Sequence, residues 1–154
     1  MSTKLWTNGE FEFTFEEVMK DVKNFDGSIF IGVDSQQHAN RRIFTKAICL
    51  YNEQKRKGGR YYYQRVSLSE SDFQNLMTQL SEETDNALDL AMKIKNYNPN
   101  VKIEIHLDCS PADSSHRSGR YADMLKGWVS SMGFDCKIKP DGWAACSVAD
   151  RHSK

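Results

Sequence analysis

No apolar run in this chain approaches the ~20 residues that a membrane-spanning helix needs, and its four cysteines, Cys49, Cys109, Cys136 and Cys146, form no C-x-x-C pair. The first absence argues against a helical membrane protein. The second argues against zinc ligands or a disulfide framework and leaves buried free thiols as the expectation. The opening Met-Ser-Thr-Lys-Leu-Trp lacks the apolar core of a signal peptide, so the cytoplasm is the expected location. Net charge is absent too, with 21 Lys and Arg against 21 Asp and Glu. That excludes a generally basic nucleic-acid coat and leaves room for a local basic face. There is no internal repeat and no low-complexity segment. What is present is an ordinary soluble composition, 39% hydrophobic and 27% charged, in 154 residues, enough for one domain with a real core.

The most informative stretch is Ile29–Gln36, Ile-Phe-Ile-Gly-Val-Asp-Ser-Gln. A short apolar run between Asp26-Gly27-Ser28 and a polar segment reads as a strand buried on both faces. Asp34 ends it, where open α/β sheets place ligands. Before it, residues 1–13 read as an irregular N-terminal extension. Thr14 and Glu17 form a capping-box signature that opens a helix over Phe15–Asn24. After it, Gln36–Arg42 reads as a polar turn, Phe44–Tyr51 as a second strand and Arg60–Val66 as a third. The Glu53–Gly59 connection offers paired glycines for positive φ.

Ser69–Tyr97 is the longest helical segment, capped by Ser69 or Ser71 and stopped by Asn98-Pro99. Val101–Leu107 is a strand with Asp108 just beyond it. A helix over Arg120–Met132 follows, then a half-exposed edge strand at Phe134–Lys139 and a last helix from Trp143 to about His152. Right-handed crossovers then place the fourth strand beside the first. The expected fold is α/β: a mixed five-stranded sheet, three antiparallel strands followed by two parallel ones, flanked by helices.

In that arrangement Asp34 and Asp108 end neighbouring parallel strands, about 4.8 Å apart. Two ionised carboxylates so close require a shared proton or a cation; the alternative is that each merely caps its following loop. Glu83 falls within the apolar stripe Leu76, Leu80, Ala87, Ala91, Ile94 of the long helix, whereas Glu82 and Asp89 project elsewhere. A carboxylate on a core-facing side is costly unless paired or metal-bound. Asp141 either caps the last helix or supplies a fourth acid. Asp150, nine residues on, faces the opposite way in a regular helix but stays in play.

The strand and helix order, with acids at these positions, resembles the ribonuclease H-like superfamily. More narrowly, Gly32–Gln36, Gly58–Tyr63, His106-Leu-Asp108 and Lys139–His152 resemble its YkuK-type branch over about residues 14–154. That resemblance implies a ribonuclease H-like domain over 14–154. It implies metal ligands at Asp34, Glu83, Asp108 and Asp141, with Asp150 as alternate. Oxygen ligands suit Mg²⁺ or Mn²⁺. The implied activity is phosphodiester hydrolysis in RNA, RNA/DNA hybrid or structured DNA, by a two-metal mechanism with ions roughly 3.5–4 Å apart. His152, or less readily His38, is a candidate acid for the leaving group; the loop after Asp108, Cys-Ser-Pro-Ala-Asp-Ser-Ser-His-Arg, carries His116 and is longer than the glycine-rich turn that the resemblance implies there.

A nucleic-acid partner requires positive charge and stacking surfaces. Lys55, Arg56, Lys57, Arg60 and Arg65 with Tyr61, Tyr62 and Tyr63 supply both on the second hairpin, with Arg41, Arg42, Arg117 and Arg120 as further candidates. The same hairpin is equally a solvated one whose charges guard a sheet edge. A non-catalytic nucleic-acid-binding module is the alternative function. A nucleotide-binding ATPase of the actin and sugar-kinase type ranks last, because Ser35-Gln36-Gln37-His38 replaces the glycine-rich phosphate turn such proteins need.

Overall fold

Thr14 opens the first helix, α1 (Phe15–Asn24), as a reciprocal capping box: its hydroxyl accepts from the Glu17 N–H at 3.2 Å, and the Glu17 carboxylate accepts from the Thr14 N–H at 2.9 Å. The helix buries Val18, Met19 and Val22. The computed structural model describes residues 4–154, the side chains of 57 and 58 excepted.

Among the described residues the sheet has seven strands rather than five. The three long antiparallel ones are β3 (Ser28–His38), β4 (Arg41–Asn52) and β5 (Lys57–Ser69). β6 (Lys102–Leu107) lies parallel to β3, and β7 (Asp135–Lys137) lies parallel to β6 at the edge. The two additional strands come from the segment read as irregular. They are β1 (Trp6–Thr7) and β2 (Glu12–Phe13), which extend the sheet beyond β5 in the order β2-β1-β5-β4-β3-β6-β7. Two-residue strands show no alternation in sequence. They are held here by Trp6, buried to 3%, and by Phe13 edge-on to Tyr62 at 5.2 Å.

The long strands also run further than their apolar runs. β3 continues four residues past Asp34 and turns into β4 through Ala39, whose φ is 55°. In the β4–β5 turn the positive φ falls on Arg56, at 50°, and Gly59 belongs to β5. The long helix, α2 (Leu76–Tyr97), is capped by Asn75, whose side chain accepts from the Met77 N–H at 2.7 Å. Of the expected caps, Ser69 precedes and Ser71 lies within a short 3₁₀ turn, Glu70–Phe73, that lets Phe73 pack on Phe44 at 5.0 Å. α3 spans Ala122–Ser131 behind a second 3₁₀ turn at Arg117–Tyr121.

Pleating sorts β3 into two faces. Ile29, Ile31 and Val33 join the large core with α1, α2 and α3, while Phe30 joins a smaller one under the C-terminal helix. That last helix is not regular: a π-helical turn, Ala144–Ala149, leads into α4 (Asp150–Ser153). It lies directly on the sheet. A Cβ on Gly32 would stand 2.2 Å from the carbonyl carbon of Ala144, so only glycine admits this approach. Buried His106 anchors the same segment, accepting the Ala144 N–H at Nδ1 (3.0 Å) and bonding Glu104 through Nε2 (2.9 Å). The ring is therefore neutral with its proton on Nε2, and burial lowers its pKa.

Candidate functional site

Pairing of β6 with β3 stops at Val33↔Leu107, whereas β3 stays paired with β4 through His38↔Arg41. Asp34, Ser35 and Gln36 therefore line a strand edge that β6 has left, next to Asp108. Asp34 falls on the same side of the pleat as Phe30 and Gly32, and Asp108 on that of Glu104 and His106, the strand partners of Phe30 and Gly32. The two aspartates thus face one way, toward the C-terminal helix.

They behave as one unit. Burial pushes the Asp34 carboxyl up to about 9, reinforced by its hydrogen bond to Asp108 and the negative charge of Glu83. The raised value makes Asp34 the partner that keeps its proton, in the hydrogen bond to Asp108. Burial opposes the Asp108 charge, but that bond and the Lys139 ammonium at 2.7 Å hold its pKa below the usual carboxylate range.

Glu83 arrives from the other face of the sheet on α2, 3% exposed, where the apolar stripe placed it. Ser35 donates to its Oε2 at 2.6 Å and Gln79 at 3.1 Å. Burial nevertheless raises its pKa to about 8, and the charge of Asp108 adds to the rise. Behind Ser35 stands Arg42, which donates to Ser35 Oγ at 3.0 Å and is paired with Glu70 at 2.8 Å. Glu82 is occupied by Asn86 at 3.2 Å.

The C-terminal helix closes the site. Ser153 donates to Asp34 Oδ2 at 2.8 Å. The Gln36 amide reaches both Asp34 Oδ2 (3.4 Å) and Asp150 Oδ1 (3.2 Å). Asp150 thus shares a ligand with Asp34, whereas Asp141 is exposed and caps nothing, the helix starting at Ala144 without a side-chain cap. The π-helical turn is the reason: its wider winding invalidates the regular helical wheel that turned Asp150 away.

The other candidates are dispersed. His152 stacks on Tyr63 (3.8 Å, 8° between planes) and bonds the Tyr61 hydroxyl at 2.8 Å. Its pKa is lowered by burial and by Arg151 and Arg65. Tyr62 faces the opposite side, where it and Arg60 bond Asp21 of α1. Lys55 pairs with Asp26, and Arg56 is exposed at the hairpin tip; the side chain of Lys57 is outside the described residues. That tip lies seven residues along β4 from Thr45, the partner of Asp34, or roughly 23 Å at strand spacing. Arg65, by contrast, shares the cross-strand row Arg65–Thr45–Asp34. His38 bonds the Ser153 carbonyl at 2.8 Å, Arg41 bonds Ser67, and His116, Arg117 and Arg120 are exposed. Sequence reasoning missed Ser35, Gln36, Lys139 and Ser153; the quoted motifs contain the first three without singling them out, and Ser153 follows the last motif.

All four cysteines are free, Cys49 and Cys109 buried and the others half-buried. Among the described residues, no three His, Cys, Asp or Glu side chains enclose a ready-made metal cage, and no helix is long and apolar enough to cross a membrane. The carboxylates and hydroxyls at the site offer oxygens, and the Cys146 thiol lies beside them, 3.8 Å from Asp108 Oδ1. Thr45 adds a buried hydroxyl with no partner in the same row as Asp34. Such a set fits a hard cation that keeps water and takes one or two carboxylates.

A mixed sheet with acids at the ends of adjacent parallel strands, a glutamate from the long helix and an aspartate from the last one defines a class. A sequence-family description, Ribonuclease H-like, matches residues 13–154, and the chain belongs to that family. It is 29% identical over 167 residues, covering 94% of each chain, to "Uncharacterized protein YkuK" of Bacillus subtilis (strain 168). The YkuK-type resemblance carried by the sequence motifs therefore holds.

Proposed function

We propose that this protein is a divalent-metal-dependent nuclease that hydrolyses phosphodiester bonds in RNA, RNA/DNA hybrid or structured DNA. The observation that carries the reading is the pairing of buried Asp34 with half-buried Asp108, within reach of the charge of Glu83 at an open strand edge. Holding a cluster of carboxyls in a largely buried place costs stability, and a cation-dependent reaction gives the cost a purpose. Asp34 and Asp108 are the residues that would hold Mg²⁺ or Mn²⁺, with Glu83 and Asp150 beside them and Asp141 outside. Bound there, the ion would supply an activated water and charge stabilisation for the leaving oxygen.

The chain's own groups prepare the rest. Ser153 and Gln36 fix the Asp34 carboxyl, and Ser35, held by Arg42, fixes Glu83. Arg65, in the row of Asp34, and Arg151, next to Asp150, are the cations placed to meet a phosphate backbone. His152, locked between two tyrosines, packs the helix against β5. The test is cleavage of labelled RNA, hybrid, duplex and junction substrates with Mg²⁺ or Mn²⁺. Metal-dependent products from the wild type and at least about 100-fold less from Asp34→Asn are expected.

A second reading, a nucleic-acid-binding module without turnover, is favoured by one observation. Lys139 already neutralises Asp108 without any metal. Binding of the same substrates with no cleavage in either ion would establish it.

A further inference from the structure

Lys139 stands where its charge matters most. It lies between β7 and the last helix, and its own N–H donates to the carbonyl of Cys109 at 3.0 Å, one residue beyond Asp108. That backbone bond fixes the root of the side chain beside the carboxylate pair. The ammonium then reaches Asp108 Oδ1 at 2.7 Å, while 44% of the side chain remains open to solvent. One end is pinned and the other is free to swing outward. No other Lys or Arg among the described residues makes an ion pair with Asp34, Glu83 or Asp108.

We infer that Lys139 is a built-in occupant of the cation position at Asp108, a positioning residue that a divalent ion must displace and that thereby sets the metal affinity of the site. The inference rests on the metal-dependent reading above and goes beyond it. With the ammonium 2.7 Å from its Oδ1, the Asp108 carboxylate faces a positive charge without any metal. A divalent cation near Asp108 meets that ammonium as a like charge and gains the carboxylate only when Lys139 turns away. With 44% of its side chain open to solvent, the lysine can turn outward into water without leaving its own charge buried and unpaired.

The test is Mn²⁺ binding, followed by the electron paramagnetic resonance of the free ion without nucleic acid. Wild type, Lys139→Met, Lys139→Arg, Lys137→Met and Asp34→Asn are compared, each first shown to be folded by its melting curve. Lys139→Met keeps the aliphatic stem and removes the charge, and its affinity should rise about tenfold. Lys139→Arg keeps a cation and should bind within about threefold of wild type. Lys137→Met makes the same charge change where the lysine faces Glu104 instead (3.5 Å), and should also stay near wild type.

Equal affinity for Lys139→Met and wild type overturns the inference while leaving the metal site standing. So does weaker binding by Lys139→Met, or an equal gain from Lys137→Met. Failure of the underlying reading looks different: Mn²⁺ binding that survives Asp34→Asn unchanged, or binding by none of these proteins, removes both proposals.

Discussion

Ser153 and Asp34 are 119 positions apart in the chain and joined by a 2.8 Å hydrogen bond that ties the last helix to the first long strand. The same hydroxyl lies 3.1 Å from the Asp150 carbonyl, so its one proton is shared between the buried acid and the helix end. Ser153→Ala should cost about 1 kcal/mol, the usual net worth of such a bond. It should also strengthen proton binding at Asp34, because the serine bond favours the charged form. Urea unfolding and the pH onset of cleavage measure the two effects; an onset that fails to move to higher pH would count against the assigned role.

The acids give the metal-free protein a pH signature. Asp34 and Glu83, raised to about 9 and about 8 from 3.8 and 4.5, bind protons in the fold that the unfolded chain has released. Stability from those protons is present at low pH and drains away as pH rises through the folded values. His106 acts in the other direction: burial lowers its pKa, so it penalises the fold only below its ordinary 6.5. From pH 6.5 to 8 the melting temperature should therefore fall. Asp34→Asn should flatten that slope, and millimolar Mn²⁺ should oppose it by binding the ionised form. Calorimetry across this range decides the matter, and a melting temperature that climbs with pH would contradict the shared-proton arrangement.

Gly32 offers a test remote from the chemistry. In Gly32→Ala the new methyl carbon would meet the Ala144 carbonyl carbon at 2.2 Å and the Ala145 nitrogen at 2.4 Å, both backbone atoms that cannot rotate aside. The C-terminal helix must lift, taking Asp150 and Ser153 with it. A loss of about 3 kcal/mol, the upper range for overpacking, is expected in urea titration, together with loss of cleavage.

Much of this arrangement can be read before any coordinates. The capping box at Thr14, the β3–β6 adjacency and the inward turn of Glu83 follow from periodicity and connection rules, because each is a local pattern with one physical solution. The two N-terminal strands do not, since two residues are too few to alternate. The exchange of Asp141 for Asp150 beside Asp34 is equally invisible, because it depends on a π-helical turn that sequence spacing does not announce. Lys139 and Ser153 are polar residues near polar residues, and nothing in a single sequence marks them until the sheet brings Asp108 and Asp34 within reach.

The extension of β3 past the end of β6 gives the two aspartates unequal freedom. Asp34 is bolted to a ladder that runs unbroken to the Ala39 turn, whereas Asp108 begins a loop. Insertions or deletions after Asp108 can reshape the entrance while leaving the β3 carboxylate in its place. The hairpin turn has no such latitude: adding one residue there shifts the ladder by one step, which on a pleated strand sends Thr45 to the wrong side of the sheet. Variation in what this centre admits is thus confined by geometry to one flank.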